Sequence, residues 1–131
     1  MNISETLTVT LPGLLAALDE RVKDNKANMS ALTRAGLIRA TEYYRPDSQG
    51  NPRFLYLLYP VQKGEKRRRD YVGKDPENIA KARAGIERAH EYDRIERETA
   101  CLLQRLREIA GIVQDARKLT EQTAQEYLSA R

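Results

Sequence analysis

The side chains in this sequence best suited to chemistry are cations and tyrosines. Lys66, Arg67, Arg68 and Arg69 are consecutive, Lys74 follows closely, and Tyr59 and Tyr71 flank the run. A guanidinium forks onto phosphate oxygens or a guanine edge, and a phenol ring packs against sugars and bases, so the mixture suits a polyanion. Three other features could carry chemistry and are read as structural. Cys101 lies beside an apolar helical repeat and is expected to be a buried, inert thiol. His90, the only histidine, sits among charged residues and is expected to be solvated. A nucleophilic tyrosine at Tyr43 or Tyr44 would need a surrounding cluster of general acids and phosphate binders in a larger fold, so both are read as strand residues covering a small sheet. One histidine leaves no multi-His metal site and no Ser-His-Asp arrangement, and Gly73-Lys74 is too short to cradle a phosphate. The expectation is a protein without catalytic residues, metal ligands or cofactor, hence not an enzyme.

The charge distribution supports the same emphasis. The chain has 131 residues and a net charge of +4. Residues 39–75 contain Arg39, Arg45, Arg53, Lys63, Lys66, Arg67, Arg68, Arg69 and Lys74 against Glu42, Asp47, Glu65, Asp70 and Asp75, which accounts for the whole surplus. Such a concentration attracts polyanions more than the net value suggests. Two other readings of the basic run stay open: protection of a sheet edge against aggregation, and docking of an acidic protein partner. No apolar run approaches the ~20 residues of a membrane span. The start, MNISETLTVTLPG, lacks the pattern of a secretion signal, and a single cysteine forms no internal disulfide. A cytoplasmic protein without membrane contact is expected.

These residues must be positioned by an α+β fold: N-terminal helices, a three-stranded antiparallel meander and a long C-terminal helix. Leu14, Leu15, Leu18 and Val22 give helical spacing between Leu11 and Ala35, with Pro12 in the first turn. Asn25 and Asn28 suggest a break, Asn28 or Ser30 capping a short second helix that ends at Gly36. Strands are expected at Leu37–Arg45, Arg53–Val61 and Lys66–Val72, separated by the turn-rich PDSQGNP and by Lys63-Gly64, with Pro60 at a strand end or bulge. Asp75, Pro76 and Glu77 supply an N-cap, a first helical position and an acidic first turn.

A register follows from centring the two turns. It sets Tyr44 opposite Phe54 and Tyr59 opposite Arg69. One face then holds Arg39, Thr41, Tyr43, Leu55, Leu57, Tyr59, Arg67, Arg69 and Tyr71 as an arginine–tyrosine surface. The other holds Ile38, Ala40, Tyr44, Phe54, Tyr56, Leu58, Arg68 and Val72 and is expected to lie beneath helices. A slip of one residue exchanges faces. Candidate nucleic-acid contacts are Arg39, Tyr43, Tyr59, Lys66, Arg67, Arg68, Arg69, Tyr71 and Lys74, on a ribbon narrow enough for a major groove.

Along the C-terminal helix, Tyr92, Ile95, Thr99, Leu102, Leu106, Ile109, Val113, Ala116, Thr120, Thr123 and Tyr127 alternate at three and four residues. Upstream, Ile79, Ala82, Ile86 and Ala89 keep the rhythm, with a three-residue offset between Ala89 and Tyr92, and Gly111 allows a bend. The expected division is a small α+β module over residues 1–90 (helices 11–35, sheet 37–72, start of helix 76–90) and a coiled-coil-like arm over 91–131. Tyr92, Ile95, Leu102, Leu106, Ile109 and Val113 would join two copies in a homodimer. Alternatively Leu11–Val22 folds back onto the seam to give a monomeric hairpin; sequence leaves both open.

The strand–turn–strand–turn–strand order followed by YVGKDPENIAKARAGIERA resembles the three-stranded-sheet-plus-helix DNA-binding domains at the N-termini of tyrosine recombinases, and short proteins of plasmids, phages and transposons. Phe54-Leu55-Tyr56, Gly64 to Arg69 and Ala80-Lys81-Ala82 fill the places of the aromatic strand, the GKR-type turn with its basic third strand, and the Ala- and Lys/Arg-rich helix. The resemblance covers about residues 39–90, with no catalytic domain after it. It implies sheet-mediated binding of DNA, more than RNA, in a mobile genetic element or its regulation, without strand exchange. A second resemblance, over SALTRAGLIRATEYYRPDSQGNPRFLYLLYP, is to the end of a winged helix, which implies the same partner. The rival functional class is an adaptor or inhibitor acting through the helical arm.

Overall fold

Three short antiparallel strands on one flank of a long helix organise the centre of the chain. The computed structural model describes residues 2–129. Helix α1 (Ile3–Glu5) leads through a wider π-helical turn (Thr6–Thr10) into α2 (Leu11–Ala35). Strands β1 (Thr41–Pro46), β2 (Pro52–Leu58) and β3 (Arg69–Gly73) form one sheet in the order β1-β2-β3, and α3 runs from Pro76 to Leu128. The expected α+β class and meander are therefore present. No helix among the described residues is long and apolar enough to cross a membrane.

The chain divides into two compact units, Ala27–Ile95 and Met1–Lys26 with Glu96–Arg131. In the first, the sheet packs on α3. Leu55 and Leu57, with 0% and 4% of their surface exposed, meet Ala82 in a cluster bordered by Ile38, Ala40, Tyr44, Tyr59, Val72, Ile79 and Ile86. Burying a leucine side chain of this kind contributes about 2–3 kcal/mol. The segment before β1, expected to be strand from Leu37, instead lies along α3. The Ile38 N–H donates to the Gly85 carbonyl (3.0 Å), and the Arg88 Nε donates to the Gly36 carbonyl (2.7 Å). A Cβ on Gly85 would stand 2.5 Å from Ile38 Cδ1, so the bare backbone at Gly85 makes this approach possible.

Local signals explain the element ends. Gly36 closes α2 with φ +107°, its N–H donating to the Leu32 and Thr33 carbonyls. Asp47 organises the β1–β2 loop: its carboxylate accepts from the Gln49 and Asn51 N–H groups, and its backbone pairs with Gly50 and Asn51. Asp75 caps α3 by accepting from the Glu77 N–H at 3.2 Å, and its carbonyl accepts from the Ile79 N–H.

In the second unit, Val22 and Asn25 are buried, and Leu11, Leu15 and Leu18 are half-buried at the same helical spacing. The Asn25 amide donates to Thr99 Oγ1 (3.1 Å) and Glu98 Oε2 (2.8 Å), while Arg21 forks onto the Glu98 carboxylate. The expected break at Asn25–Asn28 is absent. An asparagine side chain disfavours helix interiors because it competes for backbone partners, and here Asn25 takes its partners from α3 instead. At Arg21 and Asn25, α2 lies against Glu98 and Thr99 of α3, beside the start of the apolar seam. Gly111 lies within continuous helix and introduces no break.

Candidate nucleic-acid interface

Strand pairing fixes which side chains share a face. Tyr44 pairs with Leu55 and Arg45 with Phe54, while Pro46 pairs with Pro52 across a register shift. Arg53 is therefore an extra residue in β2, and this bulge moves every pair beyond it by one from the register centred on the turn. At the second turn Arg69 pairs with Leu58 rather than with Tyr59, and Asp70 with Leu57. Both expected pairings, Tyr44–Phe54 and Tyr59–Arg69, are thus displaced by one residue on the β2 side. The central strand is turned over relative to expectation, while β1 and β3 keep their faces.

The consequence is an exchange. Leu55, Leu57 and Tyr59, expected on the open surface, point toward α3, and Phe54, Tyr56 and Leu58, expected beneath helices, occupy the open surface. That surface has three cross-strand rows. Thr41, Leu58 and Arg69 form one; Tyr43, Tyr56 and Tyr71 form the next; Arg45 and Phe54 form the third. Tyr43 and Tyr71 expose 47% and 61% of their area, and the Tyr56 and Tyr71 rings tilt together at a centroid distance of 5.0 Å. Beside them Arg45, Asp47, Phe54, Tyr56 and Tyr71 line an open hollow of about 400 Å³. A bulge in β3, where Leu55 pairs with Gly73 and Tyr56 with Tyr71, leaves Val72 unpaired and turned to the core.

The predicted contact residues divide accordingly. Tyr43, Arg69 and Tyr71 share the open face. Arg39 does not: its guanidinium bonds both Asp93 carboxylate oxygens (2.8 and 2.9 Å) and lies over the Tyr92 ring. Arg68 forks onto Asp70 and stacks on the helix-side Tyr59, 4.5 Å from the ring centroid. The Asp70 carboxylate holds the Arg68 guanidinium above its usual range. Burial, then the Asp70 charge, pushes the Tyr59 phenol upward. Arg67 donates from Nε to the Tyr59 carbonyl, and Lys66 and Lys74 are exposed beside β3. Arg39, Lys66 and Arg68 do surround a second hollow of about 450 Å³, but carboxylates already engage two of the three cations. In contrast Arg45 and Arg69 make no ion pair with any described residue. Arg45, Phe54, Tyr56 and Leu58 escaped the sequence reading; all-leucine Leu55 and Leu57 against aromatic Phe54 and Tyr56 was the signal that separates the faces.

The remaining candidates are on α3. Ile95 is buried and Tyr92 is half-buried beneath Arg39. Leu102, Leu106 and Ile109 are half-buried, and Val113 is 38% exposed. Beyond it Leu119, Tyr127 and Leu128 are well exposed. Cys101 is exposed rather than buried, because it points away from the covered stripe of its helix, and His90 is exposed as expected. Among the described residues no group of His, Cys, Asp or Glu is placed to hold a metal ion. No family model, curated protein or solved structure matches this chain.

Proposed function

We propose that this protein binds nucleic acid through the open face of its sheet, using Arg45 and Arg69 with the cations beside β3 for phosphates and the aromatic rows for bases or sugars. The observation that carries the reading is that Arg45 and Arg69, on a face whose centre is tyrosine and phenylalanine, make no ion pair with any described residue. A solvated, protective edge would be expected to carry charge at its centre too. Titrating labelled DNA at several salt concentrations tests it. With about five phosphates neutralised, the log–log slope should be roughly −3.5 to −4.5. Replacing Arg45 and Arg69 together by Ala should weaken binding and flatten the slope, whereas Arg39→Ala should change it little because Asp93 already holds that guanidinium. Absence of binding at low salt overturns the reading.

Self-association through the end of α3 is the second part of the proposal. Residues 114–123 and 125–129 are exposed, with Leu119, Tyr127 and Leu128 unpartnered by any described residue's core. Asp115, Arg117, Lys118, Glu121 and Glu126 interleave both signs, which suits pairing with a second copy rather than with a strongly charged partner. The surface differs from the predicted seam, since α2 already takes part of that. Sedimentation velocity over a range of concentrations checks it: Leu119→Glu should shift the equilibrium to monomer, and a concentration-independent monomer in the parent chain refutes it.

A further inference from the structure

Resting on that reading of the open face, we infer that its occupant is single-stranded nucleic acid, held by bases stacking on the row Tyr43, Tyr56 and Tyr71. A ribbon that reads a duplex groove needs long hydrogen-bonding side chains at its centre, because paired bases offer only their edges. Here the centre offers rings. Tyr43, Tyr56 and Tyr71 are direct cross-strand neighbours, with Phe54 on the same face two residues along β2 from Tyr56. Adjacent strands lie ~4.8 Å apart, so the row presents aromatic surface over about 10 Å. Flat rings gain from a nucleobase only when its π-face is free, as in an unpaired strand.

The cations are placed for the same ligand. Arg45 stands beside Phe54 at one end of the face and Arg69 beside Leu58 at the other, with the tyrosine row between them. A strand crossing the sheet would lay its bases on the tyrosines and meet a guanidinium on either side. Base stacking is tolerant of sequence because every base has a π-face, so little sequence preference is expected. The open hollow bounded by Phe54, Tyr56 and Tyr71 gives a splayed base room beside the row.

The chain contains seven tyrosines and no tryptophan, so its own tyrosine emission reports stacking directly. An oligothymidylate of about 12 nucleotides and a duplex of equal length would be titrated against the full chain. The expected result is tighter binding of the single strand, accompanied by quenching. Tyr56→Ala should weaken it about tenfold at fixed salt without altering the salt slope, and Tyr56→Phe should restore it. Arg69→Ala should reduce the slope by about 0.7. Equal or tighter duplex binding, or single-strand binding indifferent to Tyr56→Ala but sensitive to Arg69→Ala, overturns the stacking inference and leaves nucleic-acid binding standing. Failure to bind either probe overturns both. Circular dichroism of each variant, together with the Tyr56→Phe rescue, separates lost stacking from lost folding.

Discussion

The two faces of the sheet are built from similar numbers of large side chains, yet one is closed and the other open. On the helix side the pairs are aliphatic, Leu55 and Leu57 over Ala82, and three arginines nearby are engaged: Arg39 by Asp93, Arg68 by Asp70, Arg83 by Glu42 and the Tyr44 hydroxyl. On the open side the rings of Tyr43, Phe54, Tyr56 and Tyr71 stand with Arg45 and Arg69, which make no ion pair with any described residue. The difference separates arginines engaged by carboxylates of the fold from arginines that make no ion pair with any described residue. Sequence position alone does not separate them, since Arg68 and Arg69 are neighbours on opposite faces.

The sharpest way to break the contrast is to truncate equivalent β2 residues on either face. Leu55→Ala removes a side chain with no exposed surface and should destabilise the unit by about 2–5 kcal/mol. Tyr56→Ala, one residue along, should cost under about 1 kcal/mol because its ring is half-open to solvent and loses mainly the contact with Tyr71. Urea unfolding followed by far-ultraviolet circular dichroism measures both. Equal costs would mean that the open face is covered in solution.

How far the sequence revealed this contrast depends on the kind of signal. Strong local grammar was readable: Asp75-Pro76 starting α3, Gly36 ending α2, and the turn around Asp47 to Asn51. The meander and the parity of β1 and β3 followed from alternation and turns. Centring the turns missed a single extra residue at Arg53, which reverses every side chain of the strand beyond it; only the contrast of Leu55 and Leu57 with Phe54 and Tyr56 marked the faces. The same limit applies to Asn25, whose residue type is typical of a cap. Its role as a buried donor depends on Glu98 and Thr99, more than seventy residues away. The site was therefore half legible: Tyr43, Arg69 and Tyr71 lie on strands whose faces were assigned correctly, and the four residues missed or misplaced on the open face follow from the turned β2 and the loop-side Arg45.

A smaller effect tests how the closed face is held. Gly85→Ala introduces a Cβ against Ile38, with Cδ1 at 2.5 Å and Cγ1 at 2.7 Å. In an exposed helix interior this substitution normally gains roughly 0.5–1 kcal/mol. Here overpacking against Ile38 should outweigh the gain and leave a net loss of about 1–2 kcal/mol. Shortening the neighbour in the double variant Gly85→Ala with Ile38→Ala should recover part of that loss, so the two changes should be markedly non-additive in thermal or urea unfolding. Simple additivity would show that the Gly36–Ala40 segment does not bear on α3 at this point. Nucleic-acid affinity should be unaffected throughout, since neither residue reaches the open face.

The smallest expected effect concerns Tyr59, which the turn-centred register put among the nucleic-acid contacts and which instead lies on the helix side under Arg68. Its phenol is raised above the ordinary value by burial first and then by the Asp70 carboxylate, against the opposing pull of Arg68. A raised value means that the folded chain holds the proton more tightly than the unfolded chain does. The associated stability is complete below the ordinary tyrosine range, about pH 10, and is lost as pH climbs through the folded value. Tyr59→Phe cannot ionise, so its stability should fall less steeply than that of the parent chain above about pH 10 and stay close to it below that. Urea midpoints measured from neutral to strongly alkaline pH give the comparison. Identical alkaline slopes would show that the Tyr59 hydroxyl is as free in the folded chain as in the unfolded one, and a loss of nucleic-acid binding in Tyr59→Phe would put this tyrosine back on the open side.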